Sequence, residues 1–333
     1  MRGPVWRGLR QGSCVPSLCV WVFVCLLAAP LALARAQARY FDVPPGLGAH
    51  DVAPVPGADG PVYFTAQRKG CLGVLNPVDG KVELIELGRG AAPHGVIIGP
   101  DGAPWITDGG LNAIVRVDPQ THQVRAWPLP ADAAGANLNT AAFDRAGRLW
   151  FTGQSGWYGR LDPVAGEVRV WKAPRGPGPY GIAATPSGDI YYASLAGSYI
   201  ARVDTTTGAA TVLEPPTAQQ GARRLASDAR GRIWVSYWNT GQVGRYDPAD
   251  GTWHEWKLPG AAHAYGIWVD EHGRVWLSDW ASNALVRFDP ASENFVSFPS
   301  SRSGASIRQL AGRRGEVWGA ESGNNRLFVL PTQ

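Results

Sequence analysis

Residues 92–130 read APHGVIIGPDGAPWITDGGLNAIVRVDPQTHQVRAWPLP, and the rest of the chain repeats this stretch. It carries three landmarks: a Gly-X-X-Trp turn (Gly102 to Trp105), an Arg-X-Asp-Pro (Arg116 to Pro119), and a closing Trp-Pro-Leu-Pro from Trp127. The first recurs as Gly147/Trp150, Gly231/Trp234, Gly273/Trp276 and Gly315/Trp318, with Tyr in place of Trp at Gly60/Tyr63 and Gly188/Tyr191. Successive glycines lie 42, 45, 41, 43, 42 and 42 residues apart. A fixed period in this range is the signature of a repeat architecture.

Each unit reads as β. Apolar and polar residues alternate along Ile114-Val115-Arg116-Val117-Asp118, and Gly, Pro, Asp and Asn fill the connections. Four strands are expected per unit, near 95–99, 103–107, 113–118 and 123–128. That is the blade of a β-propeller. The last unit lacks a fourth strand, while Arg39-Tyr40-Phe41-Asp42-Val43-Pro44 stands ahead of the first complete one. The expectation is an all-β, seven-bladed propeller closed by an N-terminal strand, which would cover an open sheet edge.

Residues 1–36 read differently. Arg2, Arg7 and Arg10 precede an apolar run from Val20 to Ala29, and Ala32, Ala34 and Ala36 follow. A basic segment, an apolar core and an Ala-X-Ala site predict a signal peptide. The domain boundaries are then a 1–36 leader and one propeller over 37–333, in a periplasmic or secreted protein. The leader holds four of the 31 basic residues and none of the 27 acidic ones, which leaves a neutral domain. Nucleic acid is thereby disfavoured as a partner. No membrane contact is expected after cleavage, and a monomer is expected. Three of the four cysteines also lie in the leader, so Cys71 alone can form neither an internal disulfide nor a cysteine-based zinc site.

The recurring Trp residues and the Arg-X-Asp pairs read as packing and turn chemistry, because a catalytic group need not appear in five blades. Function is sought where blades differ, at the channel mouth. Eight residues before each landmark glycine stand Val52, His94, Asn139, Tyr180, Arg223, Tyr265 and Ile307, with His50 two ahead of Val52, His263 two ahead of Tyr265, and Arg308 beside Ile307. Three residues after the aromatic landmark stand Ala66, Asp108, Gly153, Ser194, Tyr237, Asp279 and Glu321. Imidazole is a base near neutral pH, and carboxylates hold a hard cation. The expected site has His94 as base and His50 as its support. Asp108, Glu321 and Asp279 are the metal ligands, and Tyr180, Arg223, Tyr265, Arg308 and Asn139 bind substrate.

Pro93-His94-Gly95-Val96, Trp105-Ile106-Thr107-Asp108, Pro179-Tyr180-Gly181-Ile182 and Ala264-Tyr265-Gly266-Ile267 resemble the blade signature of the virginiamycin B lyase (streptogramin lyase) family. The resemblance implies a propeller that opens a cyclic depsipeptide by elimination. A histidine takes the proton, and Mg2+ held by glutamates favours the enolate-like state. It places the family's two histidines in the last two blades, where this chain has Tyr265 and Ile307. Only Glu321 keeps a metal-ligand position directly. A match rotated around the ring pairs His94 with Asp108, fourteen residues on, and leaves Ala92 where the family has its other glutamate. The sequence therefore predicts a lyase-like protein acting on an ester or lactone. The alternative is a non-catalytic propeller that binds a small ligand or protein at the same mouth. Lactone hydrolysis of the gluconolactonase type is a further possibility.

Overall fold

In the computed structural model, the described residues are Met1, Gly3, 37–260 and 262–333. The expected signal peptide, apart from those two residues, lies outside them. The remainder forms seven four-stranded antiparallel sheets. Blade one consists of β2 (Ala49–Pro54), β3 (Val62–Ala66), β4 (Cys71–Leu75) and β5 (Val82–Glu86). The unit of residues 92–130 folds as Pro93–Ile98, Pro104–Asp108, Ala113–Val117 and Val124–Pro128. Inner strands touch their neighbours in chain order, and the last touches the first, so the sheets close into a ring.

Closure follows the expected route. β1 (Arg39–Asp42) pairs antiparallel with Arg326–Pro331 and becomes the fourth strand of blade seven. Phe41 then stacks on Trp318, and the Arg326 guanidinium lies 3.7 Å from the Tyr40 ring centroid.

There is no single core. Seven apolar clusters each fill the gap between two neighbouring blades. Each landmark aromatic sits in a different one: Tyr63, Trp105, Trp150, Tyr191, Trp234, Trp276 and Trp318. The indole N–H of Trp150, Trp234 and Trp276 donates to Asp144, Asp228 and Asp270, six residues earlier. Those carboxylates also accept from Arg148, Arg232 and Arg274, tying the turn to the ring it buries. Arg160, Arg245 and Arg287 of the Arg-X-Asp pairs lie over Trp150, Trp234 and Trp276. Their partners Asp162, Asp247 and Asp289 accept backbone N–H bonds within their own turns.

Candidate functional site at the channel mouth

Every inner strand breaks register after its first residue. Ala49, Pro93, Leu138, Pro179, Ala222, Ala264 and Ile307 pair with the next strand, and regular pairing resumes two or three residues later. The second residue of each inner strand thus sits at an equivalent bulge, a device that re-aims side chains near sites. The seven are His50, His94, Asn139, Tyr180, Arg223, Tyr265 and Arg308. Val52 and Ile307, reached by counting eight back from the landmark glycine, are corrected to His50 and Arg308. Blade one has a longer turn before Gly60, where Val55 N–H bonds Pro61 O, and blade seven a shorter one between Arg313 and Glu316.

A hydroxyl supports the bulge in five blades. Thr65, Thr107, Thr152, Ser236 and Ser278 each accept from a bulge N–H of their own blade, at Asp51, Gly95, Thr140, Arg224 and Gly266. Each donates onward to a mouth carbonyl of the next blade, at His94, Asn139, Tyr180, Tyr265 and Arg308. The mouth residues are therefore fixed to their neighbours around the ring. This belt escaped the sequence reading, although its signal is plain in retrospect: Thr or Ser two residues after the landmark aromatic in five units.

His50 Nδ1 lies 2.8 Å from Asp51 Oδ1. Arg224 reaches across from blade five to the same carboxylate, at 3.3 Å, and donates to Thr140 Oγ1 at 2.6 Å. Both members of this ion pair are buried, at 1% and 2% side-chain exposure. Burial would raise the Asp51 carboxyl, but Arg224 and His50 override it and hold it well below the usual range. A Cβ at Gly181 would stand 2.6 Å from Arg224 Cα, so the Tyr-Gly pair of blade four leaves room for this crossing.

The His50 and His94 rings lie 4.1 Å apart. His94 is engaged on both edges by Asn139: Nδ1 is 3.2 Å from the carbonyl and Nε2 3.3 Å from the amide nitrogen. Burial, then the neighbouring His50, pulls the His94 imidazole well below its ordinary value, which keeps it neutral. Tyr180 and Tyr265 hydroxyls lie 3.0 Å apart. Burial would raise Tyr265; the neighbouring His50 and the guanidiniums of Arg224 and Arg223 override it and hold the phenol well below its usual range. Burial and the adjoining Tyr265 push Tyr180 up to about 12. Arg223 donates to Tyr180 Oη and covers the Tyr265 ring at 3.8 Å.

The three carboxylates expected to hold Mg2+ do not gather. Asp108 accepts the N–H groups of Ala92, Gly110 and Leu111. Asp279 accepts those of His263 and Ala281. Glu321 is paired with Arg326 at 2.5 Å and accepts from Ser300. Each closes a turn within its own blade or the adjacent one, so these residues do not fit a shared hard cation. Among the described residues, His50, Asp51 and His94 do bring donor atoms within 4.8 Å of one another. Two imidazoles and one carboxylate suit a borderline transition ion better than Mg2+. Here Arg224 already holds the carboxylate, and the set reads as an acid–base group. His263 stands outside it, exposed and tilted against the Trp238 ring.

The fold has well-defined relatives. Virginiamycin B lyase from Staphylococcus aureus superposes with a TM-score of 0.81 at 18% identity, covering 89% of this chain and 99% of that one. A catalytically inactive variant of that enzyme with quinupristin gives 0.80 at 20%, over the same shares. YCF48 bound to D1 peptide gives 0.71 at 14%, covering 91% and 97%. At such identities these likenesses establish the fold alone. No curated protein matches the chain. The family model of virginiamycin B lyase matches residues 34–288, well over half of the sequence, and the chain belongs to that family.

Proposed function

We propose that this protein is a lyase-like enzyme that opens an ester or lactone by proton abstraction at the channel mouth, with His50 as base. The observation that carries the reading is the buried His50–Asp51–Arg224 chain. A base whose far nitrogen is fixed by a carboxylate presents the other nitrogen in a defined orientation. With Nδ1 facing Asp51, His50 Nε2 is the nitrogen left for substrate. His94 has both nitrogens on Asn139 and serves as a neutral wall that positions the His50 ring.

In the elimination, His50 takes a proton from the carbon beside a carbonyl. That electron pair becomes the new C=C bond as the C–O bond on the neighbouring carbon breaks, and the carboxylate leaves. Asp51 stabilises the imidazolium. No step is assigned to Mg2+, because among the described residues Asp108, Asp279 and Glu321 do not bring their carboxylates together.

The test uses cyclic depsipeptides and lactones. Ring opening by elimination leaves the mass unchanged, whereas hydrolysis adds one water. Turnover at unchanged mass, abolished in His50→Ala with the fold intact by circular dichroism, is the expected result. Product heavier by one water, or full activity in His50→Ala, would overturn it. Export is proposed from residues 1–36; fractionation of cells expressing the protein with and without that segment tests it.

A second reading, a propeller that binds without turnover, is favoured by the depth of the imidazoles, at 5% and 6% exposure. YCF48 with its D1 peptide is one relative of this fold that binds a peptide. Saturable binding with no product from any ester would select it.

A further inference from the structure

The mouth is two-sided. Blades one to three present His50, His94 and Asn139, and blades five to seven present cations on aromatic rings. Arg223 lies 4.2 Å from the Trp238 ring centroid and 3.8 Å from that of Tyr265. Arg308 lies 4.8 Å from Trp280 and 5.8 Å from Tyr265. Tyr265 and Trp280 stack at 5.3 Å with planes 4° apart, and Trp238 meets Trp280 edge-on. Arg223, Trp238, Trp280 and Arg308 are half-exposed, above the buried Tyr265. A guanidinium carries five N–H donors. Here each makes one hydrogen bond within the described residues: Arg223 to Tyr180 Oη, Arg308 to Ser322 Oγ. Arg223 Nε has no partner at all.

No described carboxylate neutralises either arginine. Asp51 is taken by Arg224 and Glu321 by Arg326. Two guanidiniums held over indole and phenol rings, each with one N–H engaged, keep further N–H donors free, and these match the two oxygens of a carboxylate. The indole faces match a flat or apolar group beside it. A neutral ligand would leave the donors unmatched.

We infer that Arg223 and Arg308, mounted on Trp238, Tyr265 and Trp280, form an oxyanion subsite, and that the ligand carries a carboxylate next to an aromatic or planar group. As a substrate-class assignment this rests on the reading of the mouth as a substrate site. The ligand then spans the channel, with its anion on the blade five-to-seven side and its reacting carbon beside His50.

The test is calorimetric titration of the protein with benzoate, phenyl phosphate and benzamide, three probes that share a ring. Benzoate should bind at least tenfold more tightly than benzamide, and lose at least tenfold in both Arg223→Gln and Arg308→Gln. Preference for phenyl phosphate over benzoate would keep the oxyanion subsite and overturn the carboxylate. Equal affinity for benzoate and benzamide overturns the subsite, and this comparison needs no variant. If Arg308→Gln fails to fold, Arg308→Lys retains the charge without the fork and should still weaken benzoate; undiminished binding there counts against the subsite. His50→Ala separates the two readings. Benzoate binding that survives in a protein with no turnover on any ester leaves the anion subsite standing without the lyase. Turnover with no preference for acidic substrates does the reverse.

Discussion

A charge chain, rather than a lone histidine, distinguishes this mouth. His50 and His94 were both legible as candidates, but their roles were not. Counting from landmark glycines placed Val52 at the mouth, because blade one spends extra residues in the turn before Gly60. Asp51 and Arg224 were invisible as a pair, since nothing local links positions 173 apart. If the pair organises the base, Asp51→Asn should cut turnover by about 10²–10⁴-fold, comparable to His50→Ala. Arg224→Met should be worse for stability, because an unpaired buried carboxylate costs about 3–5 kcal/mol; urea denaturation at pH 7 measures it. The pH dependence has a definite sign. Asp51 has a depressed carboxyl pKa in the fold, so its contribution is present above the unfolded value of about 3.9 and is lost as pH falls through the lower folded value. The stability gap between wild type and Asp51→Asn should therefore hold at neutral pH and narrow only in the acid range below about 4.

One level up, the bulge and its hydroxyl belt convert a repetitive element into a positioned ring. The strand pattern and the inter-blade aromatics could be read from the sequence because each depends on local alternation and a short spacing. The bulge could not, because it depends on pairing with a second strand. Asp108, Asp279 and Glu321 share a constant spacing from the landmark, and there they accept donors from the neighbouring turns. The belt makes two kinds of variant distinguishable. Ser236→Ala removes a buried hydroxyl that bridges Arg224 N–H and Tyr265 O, and should cost about 1–3 kcal/mol in unfolding free energy. It should also loosen Tyr265, so benzoate affinity falls as well. Ser278→Ala lies on the Gly266 and Arg308 link, with the analogous effect on Arg308. Trp234→Ala, far from the mouth, should cost about 3–5 kcal/mol through its cavity and leave ligand affinity per folded molecule unchanged. Binding and unfolding measured on all three would show whether the belt transmits anything beyond stability.

Across the whole molecule, the fold is a ring of near-equal contacts, and a ring has no redundant joint. Six of the seven blades obtain four strands from one continuous segment, while blade seven borrows β1 from the other end of the chain. The joint uses several kinds of contact: the β1 ladder, Phe41 on Trp318, Tyr40 against Arg326, and the Glu321–Arg326 pair beside it. Removing residues 39–42 exposes the ladder edge of Arg326–Pro331 and uncovers Trp318. An exposed, apolar strand edge invites pairing with another chain. The truncated protein should therefore melt at lower temperature and form oligomers that grow with concentration, seen by light scattering. Phe41→Ala is the milder case: it keeps the ladder, removes the stack on Trp318, and should lower stability by about 3–5 kcal/mol without oligomers. If truncation leaves both melting and mass unchanged, blades one and seven hold together through their inner strands alone. The mouth, built from those inner strands, would then be stable without the closing strand.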